Sequence, residues 1–225
     1  MRIVALADTH NHRPEVPDGD VLVHAGDISF MMHGDPAFKH ILRFREWLHE
    51  LPHKRKVFIA GNHDFGFQTH PKESRYIMRE FDYLEDSGVE IDGVKFWGSP
   101  WQPWFFDWAF NLERDGEELE AKWAAIPEDT DVLLTHGPPY GYGDETMGRE
   151  HVGCRLLTKR LKQVWPTYHI CGHIHPGYGM YRMHECVPIM LGDDPALGMR
   201  LTTVVNASVC NEKYEPVNNP VVLDL

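Results

Sequence analysis

The residues able to do metal chemistry fall in five short groups: Asp8 with His10, Gly26-Asp27, Gly61-Asn62-His63-Asp64, His136, and Gly172-His173-Ile174-His175. Each group closes a short apolar or β-branched run, where a buried strand would surface. Any one of them has an ordinary reading as a turn carrying a hydrogen-bonded histidine. Five in one chain point instead to a shared crevice, because the strand ends of α/β folds gather their loops at one edge of the sheet. A mixture of carboxylate, imidazole and amide oxygen suits divalent manganese, iron, zinc or nickel, whereas a thiolate-rich set would indicate structural zinc. Asp8, His10, Asp27, Asn62, His136, His173 and His175 are more ligands than one catalytic ion uses while keeping a position open. A carboxylate bridging two ions about 3.5 to 4 Å apart accounts for the excess, and such pairs act on phosphate esters.

The elements that must position these groups follow from apolar periodicity. Strands are expected at about residues 2–7, 21–25, 56–60, 131–135 and 168–171, each ending at one of the five groups. Between the second and third, Phe38, Ile41, Leu42, Trp47, Leu48 and Leu51 recur at helical spacing over about 35–51, and Pro52 closes the run. A short helix is expected at 71–80, and further helices at 115–125 and 152–164. Residues 89–97 alternate around Asp92-Gly93, a strong hairpin signal. Tail strands are expected near 201–205 and 221–225. The alternation of strand and helix is an α/β pattern, and 225 residues fit one domain, 1–225.

Composition narrows the setting. Apolar residues make up 42% and charged residues 25%, ordinary for a soluble protein, and no apolar run approaches the roughly 18 residues of a membrane span. The opening run is too short for a secretory signal, so a cytoplasmic protein is expected. Cysteines at 154, 171, 186 and 210 are expected as reduced thiols, and the sequon Asn206-Ala207-Ser208 as incidental. His33, His40, His49, His53 and His70 are read as surface residues. A net charge of −12 argues against an extended nucleic acid partner. Small phosphorylated substrates remain compatible, since bound cations reverse the local sign.

The order Asp-x-His, Gly-Asp, Gly-Asn-His-Asp, a lone histidine and Gly-His-x-His resembles the calcineurin-like metallophosphoesterases. Thr135-His136-Gly137-Pro138-Pro139, residues 172–179, Pro100-Trp101-Gln102-Pro103-Trp104-Phe105 and Val205-Asn206-Ala207-Ser208 resemble the MPPED branch, related to class III cyclic nucleotide phosphodiesterases. The resemblance implies a four-layer α-β-β-α sandwich of two mixed sheets. It also implies two divalent ions, manganese first, with iron, zinc, nickel or magnesium as alternatives. Asp8, His10 and His175 would hold one ion, Asn62, His136 and His173 the other, and Asp27 would bridge. His63 would be the catalytic imidazole, donating a proton to the leaving oxygen while metal-activated water attacks phosphorus. Some animal members of the branch have glycine at the position of His173, so the histidine here implies a complete second site.

The implied activity is that of a phosphodiesterase on small phosphodiesters, including cyclic nucleotides. Alternatives are a phosphomonoesterase or nuclease on the same metals, or a metal-stabilised nucleotide-binding protein with negligible turnover. Relatives reading Gly-Asp-x-x-Asp orient the catalytic histidine with the second acid, but that position is Phe30 here. Asp64 is expected to tie down its own loop rather than to orient His63. His12, Arg13, Trp101 and Trp104 are candidate substrate contacts, the tryptophans by stacking on a base. The alternative for the 97–110 segment is a loop packed on the domain by its own aromatics.

Overall fold

The computed structural model describes residues 1–30, 37–186 and 199–225. Its first half holds β1 (Arg2–Leu6), β2 (Val21–Ala25), α1 (Ala37–Glu50), β3 (Arg55–Ile59), α2 (Phe65–Thr69), α3 (Pro71–Ile77) and β4 (Asp82–Tyr83). Then follow β5 (Ser87–Ile91), β6 (Val94–Ser99), β7 (Gln102–Pro103), β8 (Asn111–Leu112), α4 (Glu117–Ala124), β9 (Val132–Thr135), α5 (Arg155–Val164) and β10 (Tyr168–Cys171). The tail supplies β11 (Gly179–Cys186), β12 (Met199–Asn206) and β13 (Val221–Asp224).

Two large sheets form, in the orders β13-β1-β2-β3-β4 and β11-β12-β10-β9-β6-β5. Both are mixed. The first is parallel except where β13 joins β1, and the second is parallel from β12 through β6 with antiparallel strands at its two edges. Strand alternation then assigns side chains to layers. Ile3 and Ala5 of β1 face the second sheet with Val57, Ile59, Val132, Leu134, Ile170 and Val205, while Val4 and Leu6 turn to Ile41, Phe44, Trp47 and Leu48 of α1. On the far side, Leu133, Cys171 and Val204 meet Leu119 and Trp123 of α4 and Leu157, Leu161 and Val164 of α5. Three apolar layers separate four structural ones, the α-β-β-α sandwich. Strands buried on both faces read as continuous apolar runs, which is why periodicity found them.

The hairpin turns at Asp92 and Gly93, both with positive φ, as a two-residue connection requires. The sheets meet at their carboxyl ends, where Ala7 N–H donates to Ala207 O and Val209 N–H to Ala7 O. That seam carries the first metal-type residues.

Several elements differ from expectation. β11 pairs with β12 over eight positions, yet its sequence is that of an edge strand carrying charge, with no apolar run to betray it. Residues 65–69 form a helix too short for periodicity. Leu42 of α1 is exposed rather than on the buried face. His53 is buried, not a surface residue, with Nε2 3.0 Å from Pro17 O. His40 is half-buried with Nδ1 2.7 Å from Asn11 Oδ1, His49 and His70 are exposed, and His33 lies outside the described residues.

Candidate metal centre

The backbone is bent to present these side chains. Asp8 (φ 54°), His10 (φ 43°), Asp27 (φ 55°) and His173 (φ 67°) all take left-handed conformations, which non-glycine residues adopt at a cost of order 1–3 kcal/mol. The glycines beside them supply room. A Cβ on Gly61 would lie 2.3 Å from Asp27 Oδ1, and one on Gly172 would lie 2.1 Å from Asp8 Oδ2. Gly-Asn-His and Gly-His therefore reflect close approach of backbone to carboxylate.

Three overlapping groups bring their ligand atoms within 4.8 Å: Asp8, His10 and His175; His10, Asp27 and His63; Asp8, Asp27 and His136. Asp8 Oδ1 stands 3.6 Å from His175 Nε2 and 4.0 Å from His10 Nε2. Asp27 Oδ2 lies 3.4 Å from His136 Nε2, 3.8 Å from His10 Nε2 and 3.9 Å from His63 Nε2. One carboxylate oxygen thus faces residues of both expected ligand sets. Asn62 Oδ1, expected in the second set, lies 2.8 Å from His136 Nε2, while His173 joins none of the three groups. The His173 ring lies 5.0 Å from that of His136, and its backbone N–H donates to both oxygens of Asp8.

The tautomers test whether this set fits a cation. The Nδ1 atoms of His10, His136 and His175 point at the carbonyls of Ser29 (3.2 Å), Ala25 (3.0 Å) and Asn211 (2.8 Å). In the neutral ring those nitrogens carry the proton, which leaves a lone pair on Nε2. His10 Nε2 and His175 Nε2 then face each other at 3.3 Å, and His136 Nε2 faces two oxygens. Lone pair against lone pair is repulsive unless a proton or a metal cation stands between, and the carboxylates of Asp8 and Asp27 gathered on the same rings fit a divalent ion.

The carboxylates are ionised and draw positive charge to the same spot. Burial alone would raise the Asp8 carboxyl, but hydrogen bonding and attraction to His175 hold it well below the usual carboxylate range. Burial is likewise outweighed at Asp27, chiefly by His136. Burial pushes His10 down to about 4 and His173 to about 3, keeping neutral imidazoles. Burial would also lower His136 and His175, but His136 goes the other way, to about 9, and His175 is raised as well, because hydrogen bonding and attraction to Asp27 and to Asp8 exceed that effect; without a cation these two rings hold a proton beside the carboxylates, which a bound metal would displace.

The carboxylates are held by neighbours that metal chemistry did not announce. Ser208 Oγ donates to Asp8 Oδ2 at 2.6 Å, and buried Asn206 donates from Nδ2 to Gly143 O and Ile174 O. The sequon residue is therefore a brace inside the protein. Asp64 accepts from Gly61 N (2.7 Å), Ile28 N (3.2 Å), Ser29 N (3.1 Å) and Ser29 Oγ (2.9 Å). It ties down its own loop and also staples it to the loop carrying Asp27. His63 sits between aromatic rings, stacked on Phe30 at 5.4 Å and tilted against Trp108 at 4.2 Å.

Residues 1–177 match the family described as calcineurin-like phosphoesterase. The chain belongs to that family. Over its whole length this phosphoesterase is 39% identical to Metallophosphoesterase domain-containing protein 1 of Homo sapiens, covering 71% of that protein. It is 36% identical to a UPF0046 protein of Caenorhabditis elegans, over 99% of the chain and 74% of the relative. Family and ligand groups together support a metal-dependent phosphoric ester hydrolase.

Beside the ligands the phosphoesterase opens a cavity of about 570 Å³, in the range of small-molecule sites. Asp27, Asn62, His63, His173 and His175 form one side, with Phe105, Phe106 and Trp108 near them. The four expected substrate contacts lie elsewhere. Trp101 donates its indole N–H to Asp86 Oδ2 at 3.0 Å and packs beneath Lys122, while Trp104 is 58% exposed and does not line the cavity. Pro103, Phe105, Phe106 and Trp108 of the same segment line the cavity instead. His12 Nε2 is 2.9 Å from Tyr214 O, and Arg13 is paired with Glu50 at 3.1 Å on the face of α1. Tyr214 was not foreseen: it lines the cavity with its ring 4.8 Å from that of His10, and no motif marks it.

Proposed function

We propose that this protein is a dinuclear metal-dependent phosphodiesterase of small phosphodiesters, with cyclic nucleotides as the leading substrate class. The observation that carries the reading is Asp27 Oδ2, which faces His10 on one side and His136 on the other, at the wall of an aromatic cavity. Asp8, His10 and His175 would hold one ion, and Asn62, His136 and His173 the other, with Asp27 shared. When bound, such a pair supplies activated water and neutralises phosphoryl charge; manganese is the first expectation and iron, zinc, nickel or magnesium the alternatives.

The chain's own residues do the rest. His63, clamped between Phe30 and Trp108 and close to Asp27, is placed to donate a proton to the leaving alkoxide, a role typically worth 10²- to 10⁴-fold. Phe105, Phe106 and Trp108 offer faces on which a base can stack, worth about 1–3 kcal/mol per base. A formal charge of −12 disfavours a long polyanion but not a single phosphodiester at a cationic centre. The test is a turnover panel with added manganese: bis-p-nitrophenyl phosphate, p-nitrophenyl phosphate, and 2′,3′- and 3′,5′-cyclic nucleotides. Turnover of a diester above the monoester is expected. Monoester preference would favour a phosphatase, and silence on all four at full metal occupancy would favour a binding protein.

A further inference from the structure

Among the described residues, the cavity beside the metal centre is lined by one lysine or arginine, Arg114, which the phosphodiesterase reading leaves without work. It follows β8, and its Nη1 donates to Val152 O at 2.9 Å and Gly153 O at 3.2 Å, two further residues of the lining. Those two bonds use both hydrogens of Nη1. Carbonyls hold the group in place but do not neutralise it. Among the described residues no carboxylate oxygen lies within ion-pair distance of the guanidinium, although Glu113 and Asp115 flank it in sequence. The edge formed by Nε and Nη2 is left over, and that is the fork which takes a phosphate or carboxylate through two parallel hydrogen bonds. The carboxylates on the described lining are Asp27, which serves the metal centre, and Glu212, in the tail segment next to Asn211, whose carbonyl accepts from His175.

We infer that Arg114 forms an anion subsite, binding a second negatively charged group, phosphate or carboxylate, on the part of the substrate that lies away from the scissile phosphate. The inference rests on the phosphoesterase reading for its direction and refines it: the metal centre takes one phosphate, and Arg114 favours, over a simple cyclic nucleotide, phosphodiesters that carry a further anion. A guanidinium already anchored by two carbonyls loses little further freedom on binding, which favours recognition by this edge.

The test measures binding rather than turnover, on protein reconstituted with manganese. Dissociation constants are determined for adenosine 5′-monophosphate and adenosine 3′,5′-bisphosphate with wild type, Arg114→Gln and Arg114→Lys. Wild type should prefer the bisphosphate by about tenfold, the scale of one bidentate charged contact. Arg114→Gln should erase that preference while the monophosphate affinity changes much less. Arg114→Lys keeps charge and loses the fork, so it should fall between; it also carries the test should the glutamine variant not fold. An equal loss for both ligands, or an unchanged preference in either variant, would show that Arg114 only braces the segment of Val152 and Gly153. Loss of diester turnover in the panel with the preference intact would overturn the phosphodiesterase reading and leave the subsite standing.

Discussion

Asp27 is held at two ends: its Oδ1 accepts the His63 backbone N–H at 2.8 Å, and its Oδ2 stands 3.4 Å from His136 Nε2. The first contact fixes the carboxylate plane, and the second leaves one oxygen turned to both ligand sets. Asp27→Ala should therefore strip bound metal while the fold survives, since the residue ends a strand and packs no apolar layer. Elemental analysis after dialysis reads the outcome. Wild-type metal content in the variant would remove the bridging role.

His63 differs from the expected ligands in lying between a stacked ring, Phe30, and the tilted indole of Trp108. His63→Ala should lose about 10²- to 10⁴-fold in kcat on a diester with both metals retained. The loss should shrink for substrates with a good leaving group such as p-nitrophenolate, because such oxygens need no proton. A uniform loss across leaving groups would point to a binding role instead.

Ser208 acts on the centre through Asp8, 200 residues away in sequence and 2.6 Å away in space. Partners that orient a ligand typically contribute about 10- to 100-fold in metal affinity. Ser208→Ala should weaken manganese binding by about that factor, with activity restored at high manganese. A variant whose titration overlays wild type would show the hydroxyl to be dispensable.

What could be read from the chain, and what could not, divides along physical lines. The five strand ends were legible because few residue types bind metal and because doubly buried strands show as apolar runs. The Asp92-Gly93 turn was legible because positive φ restricts its residues. Asp64 was half legible: its bond to Gly61 N is local, but its bonds to Ile28 N and Ser29 N join backbone groups that carry no side-chain signature. Ser208 and Tyr214 sit in the tail, where only tertiary packing brings them to Asp8 and His10. The aromatic loop was recognised by composition, which cannot tell which of its rings turn to the cavity. Trp101 was lost to Asp86 and Trp104 to solvent for that reason.

The Asp64 carboxylate accepts from four donors. Burial and the charge of Asp27 push its carboxyl up to about 7, so the carboxylate form is best tested at pH 8. Replacing one carboxylate oxygen by an amide N–H would set donor against donor at that end of the side chain. Asp64→Asn should cost about 2–3 kcal/mol by urea unfolding of the metal-free protein at that pH. Unchanged stability would mean that the staple between the two loops contributes nothing.

His169 gives the fold a pH dependence that is independent of metal ligands. Its Nε2 donates to Thr135 Oγ1 at 2.8 Å, since that hydroxyl donates onward to Gly137 O, and its Nδ1 is buried without a partner. Burial pushes the imidazole down to about 3, against about 6.5 in an unfolded chain. The folded protein therefore excludes a proton that the unfolded chain accepts. The resulting stability is complete above about pH 6.5 and falls by about 1.4 kcal/mol per pH unit as acid is added, until about pH 3. His169→Leu fills the same space and removes the titration. Urea unfolding at pH 6 and pH 4.5 should show a wild-type loss about 2 kcal/mol larger than that of the variant, all other groups being shared. Parallel losses would mean that the histidine takes up its proton inside the folded protein.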